Sequence, residues 1–347
     1  MNNKNKGEIM NKLTKVGVSA LAGSLAMVSA NAVEYALTGD AMIKFVSAEG
    51  NENGAAASNG RGIGVDNDIY INASGELENG WTVSAFSAWN LEGSTNSSSQ
   101  LTIGLGSAGS ISFNDVWGVP SWIDDMSSSI HAFEEPWDST SHGRIVDSFG
   151  LDTQSGSVSY VSPAVDMGGI SLSGTATYDP NSGTGAATPG SAGTSSNPGK
   201  TFTVKATMGG IEVGAGQETS KPAVSGVMTD EVNSTGYIIY KNGPFALMYQ
   251  ELYKDETHGA GTEGADYEAE TWGVSFAQGD WGVSYVEQTE TKADVSDTTN
   301  KETEMTAVNV SYTMGAMSVK AGIFETTNPE WTTGKYEETE IAVSFAF

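Results

Sequence analysis

The residues best suited to chemistry gather in one stretch, Trp117 to Gln154. It carries the carboxylate pairs Asp124-Asp125 and Glu134-Glu135, then Asp138, with Asp147 and Asp152 on its return. Carboxylates crowded into a narrow aqueous passage lower the energy of a cation there and raise that of an anion. Oxygen pairs also ligate hard cations, so calcium at Asp124, Asp125, Glu134 and Glu135 is a second chemistry open to these residues, though without EF-hand spacing. Two of the three histidines, His131 and His142, lie in the same stretch among many serines, and His258 lies elsewhere. Nucleophilic catalysis needs one serine marked out by an oriented base, and no serine is marked out here. Cysteine is absent, which removes thiolate metal sites, catalytic thiols and disulfides together. No cofactor is expected beyond that calcium.

The whole chain has 347 residues with 16 basic and 43 acidic side chains, a formal net charge of −27. Such a surface repels nucleic acid. Glycine is abundant at 43 residues and proline scarce at 9, a composition of short strands and polar loops rather than of a helical enzyme. Mean hydropathy is only −0.25. That value is compatible with a membrane barrel, whose strands show lipid only every second residue. The first segment reads as a targeting signal: Lys12 and Lys15 precede the apolar run Val16–Val28, and Ala30-Asn31-Ala32 is a small-x-small cleavage site. Residues 1–32 are therefore expected to be removed, with Met10 as an alternative start.

Elements able to hold the acidic stretch in place follow from residue 33 onward. Val33, Tyr35 and Leu37, continued by Ala41, Ile43 and Phe45, make one face of a strand apolar, while Glu34, Thr38, Asp40 and Lys44 make the other polar. Sixteen such segments are expected: 33–47, 65–77, 81–90, 99–106, 110–116, 155–163, 170–179, 200–208, 211–221, 233–242, 244–256, 266–277, 280–291, 302–314, 316–327 and 335–347. The connection after every even segment is tiny and carries glycine, as in Glu78-Asn79-Gly80, Gly209-Gly210, Asn242-Gly243 and Gly315. After the odd segments the connections are long and polar. Short turns at one end and long loops at the other are the pattern of an outer-membrane barrel. Trp81 and Trp89 share a parity and on a strand tilted by about 40° lie about 20 Å apart along the membrane normal, the spacing of two interfacial aromatic belts. Tyr160, Trp272, Phe276, Trp281, Tyr285, Tyr312 and Phe345 are further belt candidates.

The last strand, Ile341-Ala342-Val343-Ser344-Phe345-Ala346-Phe347, alternates and ends in Phe, and so resembles the assembly signal of bacterial outer-membrane barrels. With the signal segment, the strand count and the loop order, residues 33–347 resemble the Gram-negative general porin family, in length closest to its alphaproteobacterial type. The resemblance implies an all-β, 16-stranded antiparallel transmembrane β-barrel in the outer membrane and a homotrimer in which each subunit holds its own channel for small hydrophilic solutes. It also implies a third long loop folded into the lumen, contact with outer-membrane lipid and lipopolysaccharide, and a terminal Phe347 that serves the barrel assembly machinery. The third long loop is here the longest, and it contains Asp124, Asp125, Glu134, Glu135 and Asp138 as constriction candidates. Family porins oppose that loop with arginines, whereas this chain has only Arg61 and Arg144. The opposing wall is left to Lys44, Lys205 and Lys320, so a cation-selective pore is expected. The alternatives are a substrate-specific channel, with Trp117, Trp122 and Trp137 as an aromatic slide for sugars, and a structural or adhesive barrel.

Overall fold

Ladder pairing transmits side-chain parity from strand to strand, because residues directly opposite each other face the same side of the sheet. The computed structural model describes residues 33–50, 59–93, 95–116, 125–138, 156–180, 198–220, 223–224, 227–228, 231–258, 262–293 and 301–347. The expected signal segment lies outside them. Sixteen barrel strands run in chain order: β1 (Glu34–Gly50), β2 (Gly60–Glu76), β3 (Thr82–Asn90), β4 (Thr95–Gly104), β5 (Ser110–Val116), β6 (Ser157–Val161, resuming at Val165–Asp166), β7 (Ser171–Asp179) and β8 (Gly199–Met208). They continue as β9 (Ile211–Ser220), β10 (Glu231–Asn242), β11 (Phe245–His258), β12 (Thr262–Gln278), β13 (Trp281–Ala293), β14 (Thr303–Met314), β15 (Met317–Thr327) and β16 (Lys335–Ala346). Each pairs antiparallel with the next, and β16 pairs with β1, so the sheet closes on itself. Each of the sixteen segments expected from alternation overlaps one of these strands. The differences are at the ends, where β1, β2 and β12 run several residues further toward the loops, into polar sequence that alternation cannot mark.

Pro163 interrupts β6, having no N–H to give the ladder. Ser162 repairs the gap: its backbone N–H bonds to the Gly174 carbonyl at 2.9 Å, and its Oγ accepts from the Gly174 N–H at 2.9 Å. The short turns are closed by glycines at positive φ, such as Gly243 (φ 59°) after Asn242.

The outer face is the apolar one, with Ile43, Val65, Val204, Val283, Val308, Ile323 and Ile341 all exposed. Aromatic pairs frame it. Phe245–Phe276 (4.9 Å between ring centroids) and Trp281–Tyr312 (4.6 Å) sit beside the short turns, and Trp272–Tyr285 (5.2 Å) lies further toward the loops. Tyr285 donates its hydroxyl to Glu287 at 2.6 Å, so carboxylates begin where the second aromatic group ends. An apolar band between two aromatic girdles is the lipid-facing belt of a transmembrane barrel. No helix among the described residues is long and apolar enough to cross a membrane.

Candidate functional site

The inner face has two kinds of wall. From β4 to β7 it carries hydroxyls and amides that bond across strands: Thr102 with Ser112 (2.9 Å), Gln100 to Asn114 (2.9 Å), Asn114 to Ser159 (3.0 Å) and Ser159 with Thr177 (2.8 Å). From β10 to β16 it is largely buried, with Ile239, Met248, Leu252, Val286, Met305, Ala307 and Phe324 in one apolar cluster among buried polar residues such as Thr271, Gln288 and Glu340. Ile130 and Trp137, from the connection between β5 and β6, belong to that same cluster.

The segment 125–138 therefore lies against the inner wall. Asp125 begins a short 3-10 turn, Met126–Ser129, and caps it by accepting from the Ser127 N–H at 2.8 Å. Its second oxygen accepts from the Trp137 indole N–H at 2.7 Å, closing the segment on itself. Hydrogen bonds pin it to the wall, three of them between described residues. The Met126 N–H donates to Gln250 on β11 (3.0 Å), the Ala132 N–H to Ser284 on β13 (2.8 Å), and the Asn309 amide of β14 to His131 Nδ1 (3.0 Å). Apolar contacts complete the seat. Trp137 is fully buried and meets Phe324 edge-on at 5.7 Å, and Phe133 packs with Met42 and Ala342. Burying each of these large side chains contributes about 1.5–3 kcal/mol.

His131 and Ser127 do touch, with Oγ and Nε2 3.2 Å apart. The other ring nitrogen, Nδ1, lies 3.0 Å from the Asn309 amide, so both nitrogens of the imidazole are engaged in seating the loop. This contact holds a loop in place and activates no nucleophile.

The acids expected at the constriction are divided by the structure. Asp124 lies outside the described residues, as do Asp147, Asp152, Trp117, Trp122, His142 and Arg144. Glu135 and Asp138 form a single helical turn (Glu135–Asp138), and only their backbone is described. Asp125 is committed to its two hydrogen bonds. Glu134 is half-buried, and its carbonyl accepts from the Trp137 N–H. Among the described residues no group of three or more metal-ligating side chains could hold a cation.

All three expected wall lysines have inward register. Only Lys205, on β8 and 3.6 Å from Glu212, faces the lumen from a strand that segment 125–138 does not touch. Lys320 lies over the Phe133 ring at 5.7 Å, and Lys44 pairs with buried Glu340 at 3.4 Å in the neighbouring strands. Two of the three thus lie beneath or beside the loop rather than across from it. Sequence reasoning missed Lys254 and Lys292, which flank the inward Tyr267 ring at 6.0 and 5.7 Å. It also missed the inward acids Asp66 and Asp68 of β2, the second of which lies directly opposite Asp40, already read as polar-facing, across the β1–β2 ladder. Extending strand parity along β2 would have found them. Arg61 is exposed at the loop end of β2, with outward register. Phe347 continues the closing ladder beyond β16 by exchanging two backbone hydrogen bonds with Gly39 (2.7 and 2.9 Å).

The sequence profile of the Gram-negative porins matches residues 17–347. The chain belongs to the Gram-negative porin family. It is thus a multi-pass outer-membrane channel protein, not an enzyme. Solved structures share the fold of this porin at low identity. OmpT of Vibrio cholerae superposes with a TM-score of 0.63 at 13% identity, over 93% of this chain and 100% of that one. The anion-selective porin from Comamonas acidovorans gives 0.64 at 14%, over 91% and 100%. A mutant of Rh. blastica porin gives 0.55 at 13%, over 90% and 100%. No curated protein matches the chain in sequence.

Proposed function

We propose that this porin passes small hydrophilic solutes and ions by passive diffusion and prefers cations. The observation that carries the reading is the balance of charge on the inner wall. Three of its lysines, Lys44, Lys205 and Lys254, are matched by Glu340, Glu212 and Glu231 within 4 Å. Asp40, Asp66 and Asp68 have no lysine paired with them among the described ion pairs, and they sit beside Met42, which the loop's Phe133 touches. Charges lining a low-dielectric passage act far more strongly on an ion than they would in bulk water. The acids of segment 124–138 add to this field, with Asp125 contributing charge from a fixed position. The anion selectivity of the Comamonas porin does not transfer, because what is common to the two chains at 14% identity is the fold, and the sign of a pore lies in its side chains.

The test is a reversal potential across a planar bilayer in a potassium chloride gradient. A cation potential is expected, weakening toward 1 M salt as the Debye length falls to about 3 Å. Replacing Asp40, Asp66 and Asp68 with Asn should lower it while the size limit for neutral sugars stays unchanged; an anion potential in the wild type would overturn the reading.

The rest of the proposal concerns assembly. Residues 1–32 are read as a cleaved signal, which N-terminal sequencing of outer-membrane protein tests. The barrel is read as a homotrimer surrounded by lipopolysaccharide, which native mass spectrometry with retained lipid tests. Phe347 is read as the signal to the barrel assembly machinery. Its deletion should reduce insertion yet leave the single-channel conductance of inserted pores unchanged.

A further inference from the structure

A transverse row on the inner wall reads Ser284 on β13, Asn309 on β14, Gly322 on β15 and Glu340 on β16, each directly opposite the next in the ladder. Segment 125–138 crosses this row. Its Ala132 N–H bonds to Ser284 and its His131 to Asn309, and Pro136 lies over Gly322. Gly322 is the one residue of the row without a side chain. A Cβ placed there would stand 2.8 Å from the Pro136 ring and 2.3 Å from Asn309 Oδ1. Both neighbours are enclosed: Asn309 is only 2% exposed, and Pro136 is buried and bounded by the fully buried Trp137.

Nothing about the strand calls for glycine at this position. Its φ is not positive, and glycine in a strand interior ordinarily costs about 0.5–1 kcal/mol relative to alanine. We propose that Gly322 is the seat of the constriction: a specificity-determining position whose missing side chain sets how far segment 125–138 stands off the wall, and hence the free cross-section of the pore. One methyl group there meets the apolar and the polar anchor of the loop together. It pushes Pro136 toward the pore axis, and by displacing the Asn309 amide it loosens the His131 bond. Gly273, on β12, contributes less to the same seat; a Cβ there would meet Ile130 at 3.0 Å.

This inference rests on the channel reading, and the experiment separates the two. Wild type, Gly322→Ala, Pro136→Ala and the double variant are purified, and barrel closure is checked by heat-modifiable migration. Single-channel conductance and liposome swelling with neutral sugars of graded size are then recorded. Gly322→Ala is expected to conduct about a third less and to exclude sugars the wild type admits, because a close-packed seat transmits the displacement rather than absorbing it. Pro136→Ala, which leaves the strand untouched, is expected to raise conductance, and combined with Gly322→Ala to bring it back toward wild type. Gly236→Ala on β10 is the control, since a Cβ there meets nothing closer than 3.9 Å, and it should behave as wild type. Wild-type conductance and sugar limit in closed Gly322→Ala barrels would overturn the seat. So would an equal loss in Gly236→Ala, or an unchanged Pro136→Ala should Gly322→Ala fail to fold. A wild type that conducts nothing would instead overturn the channel reading.

Discussion

The two halves of the lumen wall line the same passage yet are built differently. From β4 to β7 the inward side chains are Ser, Thr, Asn and Gln, and they satisfy one another across the ladder, as Asn114 does with Ser157 and Ser159 at 3.1 and 3.0 Å. From β10 to β16 the inward side chains include an apolar cluster closed by Ile130 and Trp137. On that side apolar inward residues such as Val286, Ala307 and Phe324 are interleaved with buried polar ones such as Thr271, Gln288 and Glu340; lipid covers the outer face and the protein's own loop part of the inner one. The apolar cluster fixes a loop, and the hydroxylated half is held by its own cross-strand hydrogen bonds.

Four substitutions would break or sharpen this contrast. The largest effect is expected from Trp137→Ala. It removes a fully buried ring and the indole donor to Asp125, a loss of about 3–5 kcal/mol that falls on loop docking. The expected outcome is protease cleavage within 125–138 and a larger sugar cut-off, in a barrel that still migrates as closed. Resistance to protease would show that the apolar cluster does not hold the loop.

Asp125→Ala should follow, at about 0.5–2 kcal/mol for a lost cap, with the indole bond lost as well. Hydrogen exchange at Ser127 is the readout. Asp125→Asn, which keeps one acceptor, should fall between wild type and Ala; exchange as fast as in Asp125→Ala would argue against the cap.

In the hydroxylated half, Asn114→Ala leaves Ser157 and Ser159 without their shared donor and is expected to cost about 1 kcal/mol. It should lower the urea midpoint for unfolding slightly without changing sugar cut-off. A changed cut-off would mean that this wall shapes the constriction too. The smallest effect is expected from Gln250→Leu. It removes one of the described pins, the acceptor for the Met126 N–H, while keeping bulk on the wall. A modest rise in conductance noise is expected; a loss of constriction as large as that of Trp137→Ala would make the hydrogen bonds, rather than the apolar seat, the main anchor.

The strands were legible because their physics is local. Alternation across β1 from Val33 to Phe45, glycine turns such as Asn242-Gly243 and the terminal Phe347 each declare themselves within a few residues, and an even number of strands lets the last pair antiparallel with the first. The loop's importance was also legible, since Ile130, Phe133 and Trp137 are too apolar for a segment left in water. Where that loop would dock was not. Inward Val286, Ala307 and Phe324 look like any strand residues until the barrel curls them under Ile130 and Trp137, and no local pattern distinguishes an inward apolar side chain from an outward one whose register has slipped.

The roles of single charges needed the tertiary structure for the same reason. Asp125 reads in sequence as a pore carboxylate, but the fold brings the Trp137 indole to it from twelve residues away and makes it a clasp. Lys320 reads as a wall cation facing the loop, but closure of the barrel puts Phe133 directly on top of it. Gly322 reads as an ordinary glycine in a strand, and only the passage of Pro136 above it gives its missing side chain a purpose. Local pattern fixes which face a residue occupies, since backbone geometry alternates with period two. What that face meets depends on contacts between residues more than a hundred positions apart, and those exist only once the sheet has closed.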